Sequence, residues 1–344
     1  MAPVVSTPTE ADIVAREALA AAAAANPSVS TKARRFAVRH KRSIGLLAAL
    51  AVVGTVMVAV TGNPFKFDGK SASQQATVYS GVCYDSYDAG NMVKHFSIIK
   101  QKFNAVRTYQ TKLGNQNMAM AAGDAGLKIA AGAWLRNGND WKGDVQAAID
   151  AHKKYGNVLA IYVGNEDLMN GIGAGEIIAN IATAKGMVQS AGVRIPVGTV
   201  QTDGGFLTNP SVAWASETIG VNIYPFFGDS PNSWQAPIKD LDARWAAIAG
   251  KFGSQNPRIT ETGWPSDGGS NGQHVSSYDN AKSYYESYAN WAKGNGGDAS
   301  FYFMFHDNRG KGGFEAHFGL ANPDGTWKFD VGPAPAPTAP PTAP

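Results

Sequence analysis

Val158-Leu159-Ala160-Ile161-Tyr162-Val163-Gly164 is a short β-rich run that leads directly into Asn165-Glu166. Seven further runs of the same kind occupy residues 78–84, 105–109, 128–134, 194–200, 218–224, 258–261 and 299–305. Their starts lie 23 to 41 residues apart, room for one helix and two loops in each interval. Helical spacing fills several of these intervals: Met92, Val93, Phe96, Ile99 and Phe103; Val145, Ala148 and Ile149; Ile177, Ile178, Ile181 and Met187; Leu241, Trp245 and Ile248; Tyr284, Tyr288 and Trp291. Gly126, Gly192, Gly253 and Gly294 stand where such helices should stop. Eight strands alternating with helices over residues 77–331 predict an α/β protein of the (β/α)8 TIM-barrel type, whose usual length is about 250 residues. A doubly wound sheet is the rival architecture, but Gly171-Ile172-Gly173-Ala174-Gly175 lacks the spacing of a dinucleotide-binding loop.

The barrel does not account for all 344 residues. Residues 44–60 form an uncharged, mostly apolar run, reaching 62 with Thr61 and Gly62, about the length that crosses a bilayer. Lys32, Arg34, Arg35, Arg39, Lys41 and Arg42 precede it, and only Lys66 and Lys70 follow closely. The positive-inside bias then predicts a single N-terminal transmembrane helix, with residues 1–43 as a cytoplasmic basic tail, 44–62 as a signal anchor and 63–76 as a linker. The remainder of the chain would face outward in a type II arrangement. A cleaved signal peptide, which would send the chain to the wall or medium, and a buried core helix are the alternatives. Residues 332–344, rich in Pro, Ala and Thr, predict an extended tail without a core.

Seven of the 30 Lys/Arg and three of the 27 Asp/Glu lie in residues 1–43, so the remainder carries a net charge of −1. A near-neutral body argues against nucleic acid as a partner. The single cysteine, Cys83, excludes an intrachain disulfide and a cysteine-based zinc site, and its place inside a strand predicts a small buried residue. The six histidines form no Glu-flanked pair or other metal spacing, so neither a metal nor a cofactor is expected.

Function in a barrel gathers at the C-terminal ends of the strands. Two glutamates stand there: Glu166 after the fourth run, and Glu261 in Ile259-Thr260-Glu261-Thr262-Gly263-Trp264-Pro265 after the seventh. Either alone reads more readily as a loop carboxylate paired with Arg or Lys, since barrel rims carry many charges. Two together fit the cleavage of a glycosidic bond, which needs one protonated and one ionised carboxyl group flanking the anomeric carbon. Close like charges do not both ionise easily, so one pKa rises and supplies the acid. Sugar rings pack apolar faces on aromatic side chains, which makes Tyr84, Tyr109, Trp134, Phe226, Phe227 and Trp264 candidate binders, core packing being the alternative for each.

Gly81-Val82-Cys83-Tyr84, Val106-Arg107-Thr108-Tyr109, Val163-Gly164-Asn165-Glu166, Val221-Asn222-Ile223-Tyr224-Pro225 and Glu261-Thr262-Gly263-Trp264-Pro265-Ser266 occur in this order, with Phe318-Gly319-Leu320 after the eighth run. In these motifs the chain resembles family 17 of the glycoside hydrolases, the β-1,3-glucan endohydrolases and β-1,3-glucanosyltransferases. The resemblance implies that Glu166 is the general acid/base and Glu261 the nucleophile of a retaining double displacement, that Asn165 binds the sugar 2-hydroxyl, and that Tyr224 contacts the nucleophile. A strand-end cap for Asn165 and a barrel-filling role for Tyr224 are the alternatives. Asp307, Lys311 and Glu315 fall where the plant enzymes show Glu, Lys and Glu, so Asp307 departs from the pattern, and Arg309 competes with Lys311 for the basic position. The implied activity is endo-hydrolysis of β-1,3-glucan in the cell wall by a monomer. Glucan transfer within the same family, and a non-catalytic glucan-binding or wall-sensing membrane protein, are the competing functions.

Overall fold

The computed structural model describes residues 79–333. Eight strands, β1 (Tyr79–Tyr84), β2 (Ala105–Thr108), β3 (Lys128–Ala133), β4 (Val158–Asn165), β5 (Val197–Thr202), β6 (Thr218–Asn222), β7 (Arg258–Glu261) and β8 (Ala299–Tyr302), form one sheet. Every pairing is parallel, in the order β8-β1-β2-β3-β4-β5-β6-β7. The seam between β7 and β8 is bridged by backbone bonds from Ile259 N to Gly296 O, 2.9 Å, and from Phe303 N to Thr262 O, 2.8 Å. At this seam a Cβ on Gly263 would sit 2.3 Å from the Phe303 carbonyl oxygen, so only glycine lets the two strands approach. The result is a (β/α)8 barrel.

The strands are covered on both faces, which is why they read as continuous apolar runs and not as alternating ones. Helices α1 (Met92–Lys100), α2 (Met118–Asp124), α3 (Trp141–Tyr155) and α4 (Ala174–Ser190) form the first part of the outer ring. Two short helices, α5 (Asp203–Thr208) and α6 (Pro210–Trp214), replace the single expected helix between β5 and β6. Helices α7 (Pro231–Gln235), α8 (Pro237–Phe252) and α9 (Tyr278–Trp291) complete the ring. In α3 the Asp140 carboxylate caps the Gly143 N–H, His152, Lys153 and Lys154 occupy the last turn, and Gly156 ends the helix at φ 58°. In α8 Leu241, Trp245, Ile248 and Phe252 recur at helical spacing and are all buried.

Two local expectations are corrected. The fifth strand was expected from 194 but begins at Val197, because Pro196 has no N–H for the ladder and contributes only its carbonyl, to Ile161 N. Val93, expected on the apolar stripe of its helix, is 73% exposed. Cys83 is buried, its thiol donates to the Thr260 carbonyl oxygen at 3.1 Å, and burial pushes it up to about 12. Among the described residues no helix is long and apolar enough to cross a membrane. The apolar run 44–62, the basic leader 1–43, the linker 63–76 and all but the first two residues of the tail 332–344 lie outside the described residues.

Candidate active site

A cleft of about 840 Å³ opens at the C-terminal ends of the strands. Glu166 and Glu261 both line it, with Asn165, Asn222 and Tyr224 between them and Tyr109, Trp134 and Phe227 on its walls.

Glu166 is set by an irregular strand end. The β4–β5 register shifts between Tyr162 and Asn165, Gly164 takes φ 84°, and Glu166 itself takes φ 55°. A left-handed backbone costs a residue with a Cβ roughly 1–2 kcal/mol, so neighbours must hold it. They do so through Asp167, whose carboxylate accepts the Asn165 N–H at 2.9 Å and pairs with Arg136 at 3.2 Å. A Cβ on Gly164 would lie 2.1 Å from that same carboxylate, so the turn requires glycine there. Arg136 in turn lies 4.2 Å over the Trp134 ring and donates to the Asn165 carbonyl oxygen at 3.2 Å. The Glu166 N–H donates to the Val200 carbonyl oxygen at 2.8 Å, and the Asn222 amide donates to its Oε1 at 2.9 Å. Burial first, and then the charge of Glu261, push the half-buried Glu166 carboxyl up to about 7, against the opposing pull of Asn222, Arg107 and Arg136.

Glu261, the last residue of β7, is 6% exposed. Arg107 of β2 donates across the barrel to its Oε1, and the Tyr224 hydroxyl donates to its Oε2 at 2.6 Å. Arg107 is itself buried, stacks 4.4 Å over the Tyr109 ring and donates from Nη2 to Asn165 Oδ1 at 2.7 Å. Asn222 donates to the same Asn165 oxygen at 3.2 Å and accepts from the Thr260 hydroxyl at 2.9 Å. One hydrogen-bonded chain therefore ties the two carboxyl groups together through Arg107, Asn165 and Asn222. Neither Arg107 nor Asn222 was assigned a role from the sequence. The available signal was a charged residue inside an otherwise apolar strand and an amide at a strand end.

Lys311 and Glu315, 3.4 Å apart, join the cleft from the loop after β8. The structure does not bring Tyr84, Trp264, Asp307 or Phe226 to it. Tyr84 points outward from β1 and is buried against α1, its ring packed on His95 and Phe96 and its hydroxyl shared between the Asp88 carbonyl oxygen and His95. Beyond Gly263 the Trp264 indole packs edge-on to Phe226 and its Nε1–H donates to the Val275 carbonyl oxygen, 2.9 Å. Phe226 lies beneath Phe227 in the same aromatic cluster and is fully buried, whereas Phe227 is 43% exposed. Asp307 is held by the Lys328 ammonium at 2.7 Å and the Gly319 N–H at 2.9 Å, a contact that fastens the β8 segment to the chain's later turns.

A cleft that holds one carboxyl group with a raised pKa beside one clamped by a guanidinium and a phenol is equipped for paired acid and carboxylate chemistry. Residues 73–319 match the BtgE/BtgC glycoside hydrolase domain. The chain belongs to glycoside hydrolase family 17. It is 28% identical over 214 residues to "Cell surface mannoprotein MP65" of Candida albicans, covering 58% of this chain and 55% of that one. To the "Glucan endo-1,3-beta-glucosidase" of Nicotiana tabacum it is 25% identical over 358 residues, covering 85% and 96%. Among solved structures the family 17 β-1,3-glucanosyltransferase of Rhizomucor miehei superposes with a TM-score of 0.59 at 25% identity, covering 72% of this chain and 94% of that one. The active-site mutant of that enzyme in complex with laminaritriose gives 0.61 at 26% identity, covering 73% and 95%. The chain spans about half the length of the first curated relatives it matches.

Proposed function

We propose that this family 17 domain is a retaining β-1,3-glucan endohydrolase in which Glu166 is the acid/base and Glu261 the nucleophile. The single observation that carries the reading is the unequal treatment of the two carboxyl groups in one cleft. Glu166, pushed up to about 7, still carries its proton below that pH, while Arg107 and Tyr224 direct their donors at the two Glu261 oxygens. In the first step the Glu261 carboxylate attacks the anomeric carbon. The bond to the leaving glucan oxygen breaks and that oxygen takes the Glu166 proton, leaving a glycosyl ester on Glu261. In the second step Glu166, now a carboxylate, removes a proton from water, which attacks the same carbon and releases Glu261. Asn165 spends its Oδ1 on Arg107 and Asn222, so its amide nitrogen is the donor left for a sugar 2-hydroxyl. Tyr109, Trp134 and Phe227 offer the aromatic faces against which pyranose rings pack, and Lys311 and Glu315 offer polar contacts at the rim.

Transfer to a second glucan in place of water is the other reading, favoured by the likeness to a β-1,3-glucanosyltransferase. Laminari-oligosaccharides separate the two. Only shorter products indicate hydrolysis, and chains longer than the starting material indicate transfer. Proton NMR during early turnover is expected to find the β-anomer first; an α-anomer would overturn the double displacement. The substrate would be cell-wall glucan and the active form a monomer. The basic leader and apolar run 1–62 point to a membrane-anchored chain with its barrel outside the cell, a location to which the name of the Candida relative lends support. Protease shaving of intact cells checks it.

A further inference from the structure

A second cluster of titratable side chains lies outside the catalytic cleft. Asp88, in the turn between β1 and α1, His95 on α1 and His306 after β8 bring ligand-type atoms within 4.8 Å of one another. None of the three lines the cleft, although Asp85 and Ser86 of the same turn do. His95 and His306 are buried, with their rings 4.7 Å apart edge to face.

The hydrogen bonds around the rings set which nitrogen is bare. The Tyr84 hydroxyl donates to the Asp88 carbonyl oxygen at 3.2 Å, so its oxygen accepts from His95 Nδ1–H at 3.0 Å. The Tyr87 hydroxyl donates to the Asp307 carbonyl oxygen, so its oxygen accepts from His306 Nδ1–H at 2.9 Å. Each imidazole thus keeps its proton on Nδ1 and turns an Nε2 lone pair inward. His95 Nε2 lies 3.8 Å from Asp88 Oδ2, and His306 Nε2 is buried with no hydrogen-bond partner. Lys94, the nearest ammonium on the same helix, is engaged with the Asp324 carbonyl oxygen at 3.1 Å. The Asn91 amide donates to Asp88 Oδ1 at 2.9 Å, so Asp88 Oδ2 and the two Nε2 lone pairs are the acceptors left without a donor, and a cation is the partner that would satisfy them. Each Nδ1–H is held by an oxygen acceptor, a phenol in both rings and for His306 also the Asp307 carbonyl oxygen at 3.1 Å, as an outer-shell acceptor fixes the ring of a metal-binding histidine.

We infer that Asp88, His95 and His306 form a site for a zinc-class divalent cation that fastens the β1–α1 turn to the β8 segment. Two imidazoles and one carboxylate, completed by a water, are a tetrahedral zinc donor set, and imidazole disfavours calcium and magnesium. Tetrahedral ligands stand about 3.3 Å apart at usual zinc distances, against 3.8 Å between His95 Nε2 and Asp88 Oδ2 and at most 4.8 Å among the three ligand atoms, so binding draws the ligands together. The inference does not depend on the proposed activity, since it concerns a different set of side chains.

The full chain, treated with a chelator and dialysed, is titrated with Zn²⁺ against a colorimetric competitor, and in parallel with Co²⁺ in the visible range. The expected result is one equivalent bound with micromolar or tighter affinity, a four-coordinate Co²⁺ spectrum, and a melting temperature raised by about 5 °C or more at saturation. Asp88→Asn is expected to weaken Zn²⁺ binding at least tenfold and abolish the Co²⁺ bands while the metal-free variant melts within about 2 °C of the metal-free wild type. His306→Gln should do the same, and Asp88→Asn alone decides the matter if the buried substitution fails to fold. No uptake at a tenfold molar excess of micromolar Zn²⁺, or Asp88→Asn binding as tightly as wild type, overturns the inference.

Discussion

Glu166 and Glu261 carry the same side chain at the ends of two barrel strands, yet their surroundings differ in nearly every respect. Glu261 closes a regular strand, is almost fully enclosed, and receives a guanidinium on one oxygen and a phenol on the other. Glu166 sits in a left-handed turn after an irregular strand end, is half-buried, and has one amide donor on one oxygen. Donors to the charged form favour ionisation, whereas burial beside a like charge opposes it. The contrast teaches that chemical role here is written in hydrogen-bond donors and backbone geometry, not in residue type. It also explains why the strain at Glu166 is tolerated, since Asp167, Arg136 and Trp134 support the turn from behind.

The most direct way to break the contrast is to remove the clamped member. Glu261→Gln is expected to lower kcat on laminarin by about 10⁴-fold or more, because no other carboxylate is held by Arg107 and Tyr224. Binding of laminari-oligosaccharides by calorimetry should change little. A variant with wild-type turnover removes the mechanism. Glu166→Ala should cost about 10²–10⁴-fold on natural glucan, the usual worth of general acid–base catalysis. A substrate with a good leaving group needs less protonation, so a dinitrophenyl laminari-oligosaccharide is expected to recover much of the first step. Equal losses on both substrates would mean that Glu166 is not the acid.

These two residues were legible without coordinates because each stands immediately after a β-rich run, and parallel-barrel topology sends such ends to one face. Arg107 and Asn222 were present in the quoted strand ends, but their partners could not be read. Arg107 meets Glu261 across 154 residues of chain, and only strand order and stagger bring them together. The aromatic candidates divided for a similar reason. Tyr109, Trp134 and Phe227 face the cleft, whereas Trp264 is carried past it by the close approach at Gly263 and Tyr84 points outward from β1 onto α1. Asp307 shows a third case, where a carboxylate in the expected position is consumed by Lys328. Histidine spacing gave no hint of the Asp88–His95–His306 cluster, since its members come from two ends of the barrel that only closure joins.

The donor count on Glu166 can be altered on its own. The falling alkaline limb of kcat/KM is expected near pH 7, where the acid loses its proton. Asn222 donates to Glu166 and so stabilises its ionised form. Asn222→Ala should move that limb up by about one pH unit, the size expected for a hydrogen bond to a charged group, alongside a fall in kcat from the disturbed Asn165. A limb that stays in place or moves down would show that Asn222 does not tune the acid.

The smallest effect tests whether this tuning has a stability cost. A carboxyl group raised from its ordinary 4.5 to about 7 holds a proton in the folded chain that the unfolded chain has already released. Between those two values stability therefore falls as pH rises, and above about 7 the full penalty of an ionised, partly buried Glu166 is present. Glu166→Gln removes the penalty while its amide oxygen can still accept from Asn222. Wild type and variant should melt alike near pH 4, and the variant should melt about 3–6 °C higher at pH 8, from roughly 1–2 kcal/mol after allowance for solvent screening. A difference in melting temperature that does not change between pH 4 and pH 8 would separate the raised acid from any energetic burden on the fold. The contrast with Glu261 would then rest on geometry alone.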